Sequence, residues 1–205
     1  MKRTMTTALA AVSMAVLPFA TASAQEPAVT ADVDGDGRPD PVSLQQVDEQ
    51  TMLLRVGLTQ EFVDTRVEGS AMGQPLRPTD VNGDGFDEVL VPESVGANTI
   101  TYSVWGYSPQ AGLHPVRTPG GQVLRLFEGG GARAVSGYGC GPAESTRTLV
   151  SVNAYATDNE LYEGYRDTFS VRAGIATPSE RIVIEGAQRT DPRLQVDPGT
   201  CAPLG

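Results

Sequence analysis

Asp32-Val33-Asp34-Gly35-Asp36-Gly37-Arg38-Pro39-Asp40 recurs 48 residues later as Asp80-Val81-Asn82-Gly83-Asp84-Gly85-Phe86-Asp87-Glu88. Five of the nine positions are identical, and the ninth is acidic in both. Oxygens at positions 1, 3, 5 and 9 of a tight loop, with the carbonyl of position 7, can converge on one hard cation. Calcium takes roughly six to eight such oxygens at about 2.3–2.6 Å. Glycines at positions 4 and 6 tolerate the positive φ that such a curl needs. Position 7 lends only its carbonyl, so Arg38 and Phe86 serve equally. The expected ligands are Asp32, Asp34, Asp36, the Arg38 carbonyl and Asp40 in one loop. In the other they are Asp80, Asn82, Asp84, the Phe86 carbonyl and Glu88, giving two Ca²⁺ sites. A pair of metal-free Asp-Gly turns is the plainer alternative. It leaves four carboxylates crowded into nine residues with nothing to offset their repulsion.

The residues after each loop decide the fold. An EF-hand closes with a carboxylate at position 12 and runs into a helix; here that position is Ser43 or Val91. Asp40-Pro41-Val42-Ser43-Leu44 and Glu88-Val89-Leu90-Val91-Pro92 read as strand entries. Downstream, alternation of period two recurs. Met52, Leu54, Val56 and Leu58 share one strand face. Ile100, Tyr102 and Val104 share another, with Thr101, Ser103 and Trp105 opposite. Val150, Val152, Ala154 and Ala156 repeat the pattern, and Phe169 with Val171 and Ile182 with Ile184 mark later strands. Gly- and Pro-rich clusters separate them. The expected class is all-β, built from antiparallel meanders, with an irregular tail over Thr190–Gly205.

A loop of this type leading into a strand resembles the FG-GAP/VCBS-type, integrin-α-like calcium-binding repeats. The resemblance is carried by residues 30–92, and extends to small secreted bacterial members through the Gly137-Tyr138-Gly139-Cys140 segment. It implies meander units resembling β-propeller blades, here at about 30–78 and 79–127, with a degenerate third unit from about 128 to 205. Those units form either an incomplete propeller or a compact β domain, because a closed propeller needs at least four blades. The sequence lacks the Phe-Gly and Gly-Ala-Pro elements that give the family its name.

The amino terminus reads as a signal peptide over residues 1–24. Lys2 and Arg3 precede an apolar run from Ala8 to Ala20, and Ala22-Ser23-Ala24 offers a small-residue cleavage site. The run is shorter than the roughly 20 apolar residues of a membrane span, so a secreted single β domain over 25–205 is expected. Secretion makes a Cys140–Cys201 disulfide the expected state of the two cysteines.

Composition excludes more than it assigns. The net charge of −10 argues against nucleic acid. One histidine and two cysteines rule out the usual zinc sites. No Gly-x-Ser-x-Gly elbow, P-loop or dinucleotide fingerprint occurs. The functional expectation is a non-enzymatic binding or cell-envelope module with structural calcium and a protein or carbohydrate ligand. A secreted hydrolase using carboxylates or a calcium-bound water is the alternative. Tyr138, Tyr155, Tyr162 and Tyr165 are the aromatics to locate: on an exposed sheet face, with Trp105, they would favour the binding module.

Overall fold

Each nonapeptide is entered by a short strand and left by a longer one. The computed structural model describes residues 28–71, 73–142 and 147–204. Strand β1 (Ala28–Ala31) leads into the first loop, and β2 (Asp40–Gln46), β3 (Thr51–Gly57) and β4 (Phe62–Glu68) complete an antiparallel sheet in that order. The plan repeats around the second loop with β5 (Arg77–Thr79), β6 (Glu88–Val95), β7 (Thr99–Ser108) and β8 (Gly112–Pro115), each pairing with the next. Strands β9 (Arg125–Gly129), β10 (Ala134–Cys140), β11 (Leu149–Ala156), β12 (Tyr162–Arg172) and β13 (Ile175–Ala187) extend the second sheet to nine strands. Its order is β13-β12-β11-β10-β9-β7-β6-β5, with β8 also on β7. The fold is all-β and antiparallel, and no sheet closes into a barrel among the described residues.

The two repeats stack strand on strand, β1 against β5 and β4 against β8. Period-two alternation places Met52, Leu54 and Val56 inward from β3, all fully buried, against Val89, Val91 and Trp105 of the second repeat. Full burial of such side chains stabilises by about 1.5–3 kcal/mol each. The opposite faces of β6 and β7 present Leu90, Tyr102 and Val104 to a second core. These two strands are therefore covered on both sides. Trp105, placed by its alternation on the face away from Tyr102, does lie there, but only 7% of it is exposed. Its indole N–H donates to Ser103 Oγ at 2.8 Å. Alternation alone cannot tell a solvated face from one covered by a second sheet.

The third part departs from a separate, stacked blade. It continues the second repeat edge to edge, through β9. The nine-stranded sheet is also rolled. Arg77 on β5 pairs with Glu128 on β9 and donates to Tyr138 Oη on β10 at 2.8 Å, crossing the Tyr102 ring at 4.9 Å. Four strand spacings would separate β5 from β10 by about 19 Å in a flat sheet, beyond an arginine's reach. The roll encloses Tyr138, Leu149, Phe169 and Val171 with the second repeat's core. Burial pushes the Tyr138 phenol up to about 12, against the opposing pull of Arg77.

The segment after β13 forms two 3₁₀ turns, Pro192–Leu194 and Pro198–Cys201, where irregular coil was expected. Asp191 and Asp197 cap them by accepting from Arg193 N–H and Gly199 N–H. Leu194 packs on Val152, Ala154 and Ile184. The Gly-Tyr-Gly-Cys segment gains its explanation here. A Cβ on Gly137 would press on Val196, and one on Gly139 would press on the Asp197 backbone. Glycine at both places lets the tail lie against β10. The Cys140–Cys201 disulfide fixes it there, with the Cα atoms 4.9 Å apart. The residues read as a signal peptide, 1–24, lie outside the described residues. Among the described residues no helix is long and apolar enough to cross a membrane.

Candidate metal centre

The two loops fold alike because the same positions tie the same bonds. In the first, Val33 N–H donates to Asp40 Oδ2 (3.0 Å), Gly37 N–H to Asp32 Oδ2 (2.9 Å) and Asp36 N–H to Asp34 Oδ1 (3.1 Å). In the second, Val81 N–H donates to Glu88 Oε2 (3.0 Å), Gly85 N–H to Asp80 Oδ2 (3.3 Å) and Asp84 N–H to Asn82 Oδ1 (2.9 Å). The glycines at positions 4 and 6 adopt φ of 72° and 82° in the first loop, 76° and 84° in the second. These are left-handed values that side-chain-bearing residues rarely take.

One oxygen each of Asp32, Asp34 and Asp40 lies within 4.8 Å of the others. Asp32 Oδ1 is buried and has no hydrogen-bond partner. An unsatisfied buried oxygen costs about 1–3 kcal/mol, more when charged. A hard cation between the three carboxylates would satisfy it, so this acidic triad can hold a metal ion. Asp36, expected as a fourth side-chain ligand, stands outside the triad. Its Oδ1 accepts from Arg38 N–H at 2.8 Å and its Oδ2 from Thr59 Oγ1 at 2.9 Å. Arg38 itself is exposed.

The second loop gathers its expected residues differently. Asn82 Nδ2 donates to Asp84 Oδ2 at 2.9 Å and to Glu88 Oε1 at 3.1 Å. The amide nitrogen thus links the oxygens that a cation would otherwise join. Asp80 is fully buried, with its carboxylate held by Gly83 N–H and Gly85 N–H. Phe86 N–H donates to Asp84 Oδ1 at 2.9 Å, and the Phe86 ring lies against Gly35, where a Cβ would overlap it.

Three connections were missed in the sequence. Asp87 joins the loops: its Oδ2 accepts from Asp32 N–H, and its own N–H donates to the Asp32 carbonyl, both at 2.8 Å. Its signal was the eighth position, Pro39 in one copy and acidic in the other. Arg147 donates to the Asp80 carbonyl at 2.6 Å and to the Ala202 carbonyl at 2.9 Å. The Cys201 carbonyl accepts from Asp80 N–H at 3.0 Å. Loop one, loop two, the tail and the disulfide therefore form one linked series.

Burial sets the electrostatics. It pushes the Glu88 carboxyl up to about 8; Asp84, Asp80 and Asp87 add to the rise, and the Val81 N–H opposes it. Burial likewise raises Asp40, opposed by the Val33 N–H, and Asp87, opposed by the Asp32 N–H. Glu88 keeps in the folded state a proton that the unfolded chain releases near its ordinary value of 4.5. Its ionisation therefore opposes folding, and stability declines as pH rises from about 4.5 to about 8. In chelator, the thermal midpoint falls across that window, and Glu88→Gln flattens the fall. A midpoint that rises with pH in chelator would contradict the assignment.

The loops also floor a cleft of about 600 Å³, walled by Tyr107, His114 and the turn at Ala173-Gly174. His114 sits on β8, with Nδ1 2.9 Å from the Gly112 carbonyl. That carbonyl can only accept, so Nδ1 is the donor. Comparison with protein-family models, curated proteins and solved structures returns no match.

Proposed function

We propose that the chain is a secreted, calcium-stabilised binding or cell-envelope module of the FG-GAP/VCBS type, with a structural Ca²⁺ in each loop. The observation that carries this reading is the buried, unpartnered Asp32 Oδ1 within the Asp32–Asp34–Asp40 triad. A cation supplies the missing partner and offsets the repulsion that an anionic triad imposes on folding. The second loop supports a second ion through its shared hydrogen-bond plan, in which Asn82 Oδ1 accepts from Asp84 N–H as Asp34 Oδ1 accepts from Asp36 N–H. The disulfide is compatible with an oxidising, extracellular compartment. A cleft with perturbed acids that are not ligands would favour the alternative hydrolase. Of the acids raised by burial, Asp40 and Glu88 are expected ligands, and Asp87, which lines the cleft, is tied to the Asp32 backbone by two hydrogen bonds.

Calcium titration by calorimetry tests the reading. The chain is expected to bind two equivalents, with Asp34→Ala and Asp84→Ala each removing one. Binding of no calcium, or of two equivalents by both variants, would overturn it. Extracellular sites of this kind bind at roughly 0.1–1 mM, so the ion is a permanent fitting rather than a signal.

A further inference from the structure

The nine-stranded sheet has a seam. Strands β10 and β11 share seven register pairs, whereas β9 and β10 share one, Ser136 with Gly129. A groove of about 430 Å³ lies over this seam, within the size range of small-ligand sites. Cross-strand partners share a sheet face, and the register sets two rows in the groove. Ser94, Thr101 and Phe127 form one; Thr99, Gly129, Ser136 and Asn153 form the other, with Tyr155 beside it on β11. Tyr155 is 66% exposed.

We infer that this groove is a binding site for an uncharged saccharide. Charge decides the class. The chain carries a net −10, yet among the described residues no acidic or basic side chain lines the groove. An anionic ligand would meet no cation there, and a cationic one no carboxylate. The lining consists of hydroxyls from Ser94, Thr99, Thr101 and Ser136, the Asn153 amide, and the rings of Phe127 and Tyr155. Hydroxyls and an amide hydrogen-bond the equatorial edge of a pyranose, and a ring covers its C–H face. Aromatic side chains supply rigid apolar area at low entropic cost. A protein strand, by contrast, would seek an open sheet edge, and the groove lies on a face of the sheet, away from its end strands β5 and β13. None of its residues is a proposed calcium ligand, so the site stands apart from the metal loops.

Titration of the full chain, in calcium-saturated buffer, with hexamers of β-1,4-linked glucose, α-1,4-linked glucose and β-1,4-linked N-acetylglucosamine tests the inference. At least one is expected to bind, with Tyr155→Ala and Asn153→Ala each weakening it by about tenfold or more. Phe62→Ala, exposed on the other sheet, is expected to leave it unchanged. The inference is overturned if no hexamer binds, if Tyr155→Ala binds as the native chain does, or if only a charged polymer or a protein is retained. Calcium stoichiometry measured on the same variants separates this failure from failure of the metal reading.

Discussion

Replacing Cys201 by serine is expected to lower the unfolding free energy by about 4 kcal/mol. The bond closes a loop of 61 residues, and constraining that loop in the unfolded chain accounts for the figure in the chain-entropy treatment. The native side adds to it. The tail held by Cys201 lends its carbonyl to Asp80 N–H and brings the Ala202 carbonyl to Arg147. Urea denaturation of Cys201→Ser, of Cys140→Ser and of the double variant reads the effect, and all three should agree. A loss below about 1 kcal/mol would show that packing of the tail, through Leu194 and the glycines facing it, holds it without the covalent link. A typical domain has about 5–15 kcal/mol in total, so the expected loss is a large share.

Calcium is expected to have an effect of similar size. With sites of roughly 0.1–1 mM, 10 mM calcium stabilises by about 1.4–2.7 kcal/mol per site relative to the metal-free chain. Two sites give about 3–5 kcal/mol. At about 2–4 °C per kcal/mol for a chain of this size, the thermal midpoint should rise by roughly 6–20 °C. The Asp34→Ala/Asp84→Ala pair should abolish the rise while leaving the chelated midpoint unchanged or raised, because each substitution also removes a repelling charge. An unchanged midpoint on adding calcium to the native chain would sink the structural role. Asp87 makes the two sites neighbours in energy as well as in space. Its paired bonds to Asp32 mean that ordering one loop orders the entry of the other.

Much of this architecture was legible in the sequence. The two nonapeptides located both loops, and alternation located β3, β7, β11 and β12. The pairing of Cys140 with Cys201 came from counting. What escaped was set by contacts between distant segments. Trp105 alternates like a residue on an open face, and only the first sheet, which ends at Glu68, makes that face a core. Asp36 has a ligand's position in the repeat, but Thr59, in a turn outside it, engages its carboxylate. The partners of Asp87 and Arg147 lie 55 and 67 residues away, so the local sequence does not name them. The merging of the third part with the second repeat was equally hidden, since a strand's own residues do not reveal which edge it joins.

The clamp on Asp80 also sets an order of events. Loop one closes with its own residues, Thr59 and the neighbouring Phe86 and Asp87. Loop two, nearly identical in local chemistry, has its first residue held from both sides by groups at 147 and 201. Such long-range closures are slow relative to local ones. The repeats should therefore mature at different times: a chain emerging during synthesis can shape its first acidic loop early, while the second stays provisional until Cys201 arrives. Stepwise extension of the chain from residue 100 to 205, with protease resistance of each loop measured at every length, would show the two becoming protected at separate points.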